Sequence, residues 1–381
     1  MTTAHGTVVE GFESVREEFA SFVAAEAHDP GAQLVVYADG KRVVDLVSSP
    51  DIAADSLLGV FSSTKGAAHL VVALLVQDAI LDLDREVAYY WPEFAAEGKG
   101  AITLRELLAH QAGVVGVDGG FSPAEIADDR ALAARLAGQR PYWRPGAGFG
   151  YHAFVIGALT GEVVFRATGR TLHEWYEERI RAPYGLDFFL GLPESEEPRF
   201  LTTLPMLPTP SQQAEIDAAP WANPNSIGGI SFNAPRGLDL AEFPNDRAVR
   251  AAGQSSAGGI ASARGLAGLY QAAVFGLADR PPLLKPDVLA EFARPHSIGT
   301  DLSSGQPQYF ALGFHAMSLK FPSLAAGAFG HSGAAGSQAL ADPVTGFAYG
   351  YARRRYAYPG GSAPENTRFL AATARAITAR R

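Results

Sequence analysis

The sequence predicts an α/β (α+β) fold, with one antiparallel sheet built from the N- and C-terminal segments, flanking helices and a mainly helical insertion. Three observations carry this. A strand–turn–strand pattern, Gln33 to Ala38 and Arg42 to Val47 about Asp39-Gly40, lies near the start. Short strand-like segments gather after residue 309, and the interval between reads mostly as helix. Apolar residues recurring every three or four positions mark helices, while β-branched and aromatic runs bounded by turn residues mark strands. The expected division is a sheet domain from 1–82 and 249–381, and a helical domain with pocket loops from 83–248.

In chain order, Val8 to Ala27 reads as an amphipathic helix, since Val9, Phe12, Val15, Phe19 and Phe22 fall near helical spacing. The hairpin follows, because Asp-Gly readily adopts the positive φ angles of a tight turn. Leu57-Leu58-Gly59-Val60 is a short apolar run, and Gly66 to Ile80 is strongly helical. Ile102 to Leu108 opens another helix, with Thr103 and Glu106 in capping-box spacing. The glycine-rich turn Arg144 to Gly150 delivers Tyr151, and helices are expected from there to Arg166 and from Leu172 to Arg181. Residues 186–248 are rich in proline, asparagine and glycine and predict long surface loops, of the kind that wall pockets. Ser262 to Phe275 and Lys285 to Ala293 are helical by pattern. Tyr309 to Met317, Gly327 to Gly330, Ser337 to Ala341 and Gly346 to Tyr351 read as short strands, and Pro364 to Arg380 as a closing helix.

Composition bounds the function. With 381 residues, 47% of them hydrophobic and 19% charged, the chain can bury a large core as an ordinary globular enzyme. A net charge of −9 argues against nucleic-acid partners, which reward clustered lysine and arginine. The absence of cysteine removes disulfides, thiolate metal sites and cysteine nucleophiles together. Met1 to Phe12 lacks the basic and apolar regions of a secretory signal, and the longest apolar run, Ala67 to Val76, is too short to span a bilayer. The expectation is a cytoplasmic enzyme without membrane or nucleic-acid partners, its oligomeric state open.

Of five lysines, only Lys65 has a serine three residues before it, in Phe61-Ser62-Ser63-Thr64-Lys65. On a helix start this spacing puts hydroxyl and amine on one face, as a lysine-activated serine hydrolase needs. The same spacing also suits Ser62 as a helix cap with Lys65 on the surface. Against that, a lysine in a first helical turn faces the positive end of the helix dipole, which is unfavourable for stability but lowers its pKa. Tyr151, after its glycine turn, is either a packed ring or a phenol that relays the serine proton. His331-Ser332-Gly333 falls at the end of a short strand, and the following Ala334 could offer its N–H beside that of Ser62 as an oxyanion donor. His110 reads as a structural histidine whose charge suits a helix C-terminus. Neither Gly-x-Ser-x-Gly, His-Glu-x-x-His nor a phosphate-binding loop occurs, and the Gly146-x-Gly148 pair has no dinucleotide-binding continuation, so no metal or cofactor is expected.

Taken in order, Ser62-Ser63-Thr64-Lys65, Tyr151 and His331-Ser332-Gly333 resemble the serine β-lactamase-like family of class C β-lactamases, DD-peptidases and family VIII carboxylesterases. Pro30 to Gln33 with Asp39-Gly40, Ile102 to Gly113, and Gly330 to Gly346 look like its framework segments, so the likeness covers most of the chain. The resemblance implies a β-lactamase/transpeptidase-like fold with the site between sheet and helices. It implies Ser62 as nucleophile, Lys65 and Tyr151 as base and proton relay, and His331 to Gly333 as the substrate-facing strand. Two departures stand out. Where the lactamases carry Tyr-x-Asn this chain has Tyr151-His152-Ala153, so Ala153 brings no amide to an acylamino group; where they carry Lys-Thr-Gly it has His331, no permanent cation. Both favour a carboxylesterase acting on a small-molecule ester. The alternatives are a β-lactamase or acyltransferase of the same fold, or an inactive scaffold that only binds.

Overall fold

A computed structural model describes residues 4–380. Among them the main sheet has nine strands: β1 (His5–Val8), β2 (Ala32–Ala38), β3 (Lys41–Val47), β4 (Ser297–Thr300), β5 (Pro307–Phe310), β6 (His315–Ala316), β7 (Phe329–Ser332), β8 (Gln338–Asp342) and β9 (Phe347–Arg353). Their order is β1-β3-β2-β9-β8-β7-β6-β5-β4, and every neighbouring pair is antiparallel. The two ends of the chain meet where β2 pairs with β9, from Ala38 opposite Phe347 to Ala32 opposite Arg353. The β2–β3 turn takes φ of 51° at Asp39 and 73° at Gly40, the left-handed pair its residues were expected to adopt.

The five longest helices among the described residues are α1 (Glu13–Ala25), α2 (Thr64–Gln77), α3 (Ile156–Thr168), α4 (Ala263–Val274) and α5 (Asn366–Ala379). Strand periodicity sends Leu34, Val36, Leu340, Tyr349 and Tyr351 to one sheet face, where they pack with Phe19 and Phe22 of α1 and Phe369 and Leu370 of α5. Each such buried side chain is worth about 1.5–3 kcal/mol. The opposite face carries small residues, Ala339, Ala341, Ala348, Gly350 and Ala352, and α4 lies close on it. A Cβ at Gly350 would stand 2.5 Å from both the Ala263 carbonyl oxygen and the Ala267 nitrogen. Beyond this layer runs α2, buried from Thr64 to Leu75, a helix apolar on all sides because protein surrounds it.

The structure also departs from the expected elements. The first helix begins at Glu13 because residues 5–8 form β1 on the edge of β3, an exposed strand without apolar alternation. Tyr309 to Met317 is not one strand: Gly313, at φ 76°, turns the chain so that Ala311 N–H meets the Phe314 carbonyl and β5 and β6 separate. A second, three-stranded sheet of Phe188–Phe189, Ile260–Ala261 and Leu58–Gly59 was not anticipated. The loops of 186–248 carry short helices at Pro210–Asp217, Ile227–Ser231 and Arg247–Ala252. Among the described residues no helix is long and apolar enough to cross a membrane.

Candidate active site

The small sheet feeds Ser62 into the site. From Leu58–Gly59 the chain passes Val60, whose N–H bonds the Gly259 carbonyl at 3.1 Å, into a 3₁₀ turn, Phe61–Ser63, continuous with α2. Phe61 is held at φ 46°, a left-handed conformation that costs a non-glycine residue about 1–3 kcal/mol. Its buried ring, set edge-on to Tyr356 at 5.8 Å, and the Thr64 hydroxyl bonded to its carbonyl hold it there. Side chains three apart eclipse in a 3₁₀ turn. Ser62 therefore looks into a cavity with Lys65 beneath it, and Lys65 Nζ stands 3.1 Å from Ser62 Oγ.

Lys65 is fully buried, and its other two bonds go to backbone carbonyls, Ala153 O at 2.6 Å and Ser256 O at 2.9 Å. Burial drives its amine well below the ordinary lysine pKa. A neutral amine has two N–H donors and one lone pair. In that form, with both donors on the carbonyls, the lone pair would face Ser62 Oγ. Gln254 fixes one of those carbonyls, since its side-chain oxygen accepts the N–H groups of Ser256 at 3.0 Å and Ala257 at 2.7 Å.

Tyr151 closes the other side, its ring centroid 4.8 Å from Lys65 Nζ. Burial raises its phenol above the ordinary range, so it is a proton-bearing hydroxyl, and the bond to Ser62 opposes that rise only in part. The ring stacks on Phe310 at 5.7 Å and on His331 at 6.1 Å. Its backbone is clamped too: N–H to Asp301 Oδ1 at 2.7 Å, and carbonyl to the hydroxyls of Ser303, at 3.1 Å, and Ser231.

The third wall is the end of β7. Ser63 Oγ meets Ser337 Oγ at 3.0 Å, and Ser337 Oγ donates to Val60 O at 3.1 Å, tying strand to turn. Gly333 is needed at this seam because a Cβ there would lie 2.1 Å from Val60 O. Ser332, Gly333 and Ala334 line the cavity with Ser62. Neither the Ser62 nor the Ala334 N–H donates to a protein acceptor among the described residues.

The cavity measures about 370 Å³ and takes apolar wall from Trp221, Phe232, Leu240 and Phe310, three of them on the loops of 186–248. Ser62, Tyr151, His331, Ser332, Gly333 and Ala334 thus converge as expected on one site. Ala153 does not line it: the residue is buried, and its carbonyl serves Lys65. His110 departs from its expected role as a helix-end cation. It is buried at φ 62°, its Nδ1 accepts the His152 N–H at 3.2 Å, and desolvation holds the ring neutral, which overrides any attraction to the helix end. His331 is neutral as well; its Nδ1–H donates to the Ser332 carbonyl at 2.8 Å. Asp301, Ser231, Gln254 and Ser256 escaped the sequence reading, because they act through backbone contacts that no spacing records. No three histidines or carboxylates among the described residues are grouped as metal ligands.

A family model described as Beta-lactamase matches residues 16–373. The chain belongs to the beta-lactamase family. LipL of Mycobacterium tuberculosis, described as an esterase/beta-lactamase, is 31% identical over 371 residues, spanning 91% of this chain and 82% of that protein. The structure of EstA from Arthrobacter nitroguajacolicus Rue61a superposes with a TM-score of 0.90 at 42% identity, covering 98% of each chain. A family VIII carboxylesterase superposes at 0.85 with 32% identity, covering 98% of this chain and 99% of that one. This beta-lactamase-family chain is accordingly a serine hydrolase with the β-lactamase/transpeptidase-like fold, and its relatives include esterases.

Proposed function

We propose that the protein is a carboxylesterase that hydrolyses small to medium esters through an acyl-enzyme on Ser62. The observation that carries this is the placement of Lys65: two carbonyls hold its buried amine 3.1 Å from Ser62 Oγ, where the neutral form would turn its lone pair to the hydroxyl. In this reading Lys65 accepts the Ser62 proton as Oγ bonds to the ester carbonyl carbon. The resulting oxyanion lies between the N–H groups of Ser62 and Ala334, which have no competing protein acceptor among the described residues. As the C–O bond breaks, the Tyr151 phenol protonates the departing alkoxide, and the ammonium of Lys65 restores the phenol. Water then repeats the sequence on the acyl-enzyme and frees Ser62.

The walls favour esters over β-lactams. His331 is neutral and Ala153 lies away from the cavity, so neither a carboxylate nor an acylamino group of a lactam finds the partners expected at those positions. The reading is tested at the nucleophile. Ser62→Ala should abolish turnover of p-nitrophenyl acetate, and an organophosphonate should add its mass to the peptide containing Ser62. A label on another serine, with Ser62→Ala still active, overturns the mechanism.

A further inference from the structure

One charged group of the cavity has no part in that reaction. Asp301 is committed, accepting the Tyr151 N–H at 2.7 Å, the N–H groups of Ser303 and Ser304 at 3.2 and 3.0 Å, and the Ser304 hydroxyl at 2.6 Å. His315 and His331 on the wall are neutral rings, desolvated by burial. Lys320 is left. It follows β6 through the turn Met317–Leu319, is exposed at the rim, and lines the cavity. Among the described residues its ammonium makes no hydrogen bond and no ion pair; its partner is the Phe321 ring, 5.8 Å away.

Position gives this cation a direction. The rings of Tyr151 and His331 lie 6.1 Å apart, those of His331 and His315 4.4 Å apart, and the charge of Lys320 bears on His315. Tyr151 and His315 are themselves 6.4 Å apart, so the three rings form one cluster, and Lys320 stands on the side of the cavity that holds the proton-donating phenol. The alcohol half of an ester must begin at that phenol, because its oxygen receives the proton. The ammonium lines the cavity on that same side, beyond the ring of His315.

We propose that Lys320 is a specificity-determining residue that recognises a carboxylate at the remote end of the alcohol half, so that the preferred substrates are esters of hydroxy acids. The inference rests on the esterase reading above and names its substrate class. Lys320 supplies the cation that His331 lacks, farther from the reacting carbon. Its exposure to solvent at the rim lets the amine keep its proton at neutral pH.

The test compares 3-(4-acetoxyphenyl)propanoate with its neutral primary amide, which share the scissile bond and differ in the remote charge. Read as the ratio of kcat/KM, anion over amide, the wild-type preference should fall about tenfold or more in Lys320→Gln and further in Lys320→Glu. Lys320→Arg should restore most of it, since charge is what is recognised. A ratio unchanged within about twofold in Lys320→Gln, or a Lys320→Arg that behaves like Lys320→Gln, overturns the proposal. Failure of the esterase reading looks different: the wild type would hydrolyse neither probe, and this inference would fall with it. Thermal melts of the variants separate misfolding from lost recognition, and a misfolded Lys320→Gln leaves the Lys320→Glu and Lys320→Arg pair to decide.

Discussion

Acidification to pH 5.5 should destabilise the protein markedly, because five histidines are buried as neutral rings. His69, His110, His152, His315 and His331 are at most 8% exposed. Burial is the first cause lowering each, to about 3 at His69, about 4 at His152 and well below 6.5 at the other three. In the unfolded chain a histidine binds a proton below about 6.5. The folded rings do not, so the unfolded state holds more protons and stability falls as pH falls from about 6.5 toward 4. His69 and His152 then each cost about 1.4 kcal/mol at pH 5.5 and under about 0.1 kcal/mol at pH 7.5. His69 and His152 together cost about 3 kcal/mol, a large share of the whole stability of a typical domain, about 5–15 kcal/mol, and the other three rings add to it in the same direction. Urea titrations at the two pH values measure the loss. Calorimetry in buffers of different ionisation heat counts the protons, about two or more taken up by these rings on unfolding at pH 5.5 and fewer than about one at pH 7.5. Equal stability at both pH values within about 1 kcal/mol, or uptake of no more than about one proton at pH 5.5, would refute the reasoning.

Gly333→Ala should lower kcat by about 10²–10³, because its Cβ would lie 2.1 Å from Val60 O and must part the Ala334 N–H from Ser62. Gly138→Ala, with nothing within 4 Å of its Cβ, is the control, and steady-state assays of both decide. Lys65→Arg should be reduced at least about 10³-fold, since a guanidinium does not deprotonate, and Tyr151→Phe at least about 10²-fold while melting normally. The wild-type kcat/KM should fall about tenfold per pH unit on its acid side, as the lowered Lys65 amine gains the proton that blocks it; a flat profile through the acid range would exclude that role. With purified protein, p-nitrophenyl acetate should exceed nitrocefin in kcat/KM by about tenfold or more, and nitrocefin equal to the ester would move the protein toward lactamase chemistry.

What the sequence discloses here is local. Asp39-Gly40 specifies its turn through backbone freedom, Thr103 and Glu106 form the capping box their spacing implies, and Ser62 with Lys65 meet because three residues make one 3₁₀ turn. The setting of those groups is not local. The amine of Lys65 is held by carbonyls 88 and 191 positions away and loses its ordinary pKa to burial, and the grip on Tyr151 depends on Asp301, 150 positions away. His110 keeps a structural place but not the helix-end charge expected of it, for the same reason: a rule about helix ends says nothing of the rings that bury it. Strand β1 escaped notice because an exposed edge strand needs no apolar alternation.

The pairing of β2 with β9 joins residues about 310 positions apart, which makes this a fold of high contact order. At about 5–20 residues per second, a nascent β2 waits roughly 15–60 s for its partner. Throughout that time the growing chain presents an apolar strand edge, the surface through which chains aggregate. Cooler expression or holdase chaperones should raise yield by protecting that edge, with no change to the finished enzyme. The turn bearing Ser62 and the loop bearing Ala334 likewise meet only near the end of synthesis, so C-terminally shortened products should be inactive as well as insoluble.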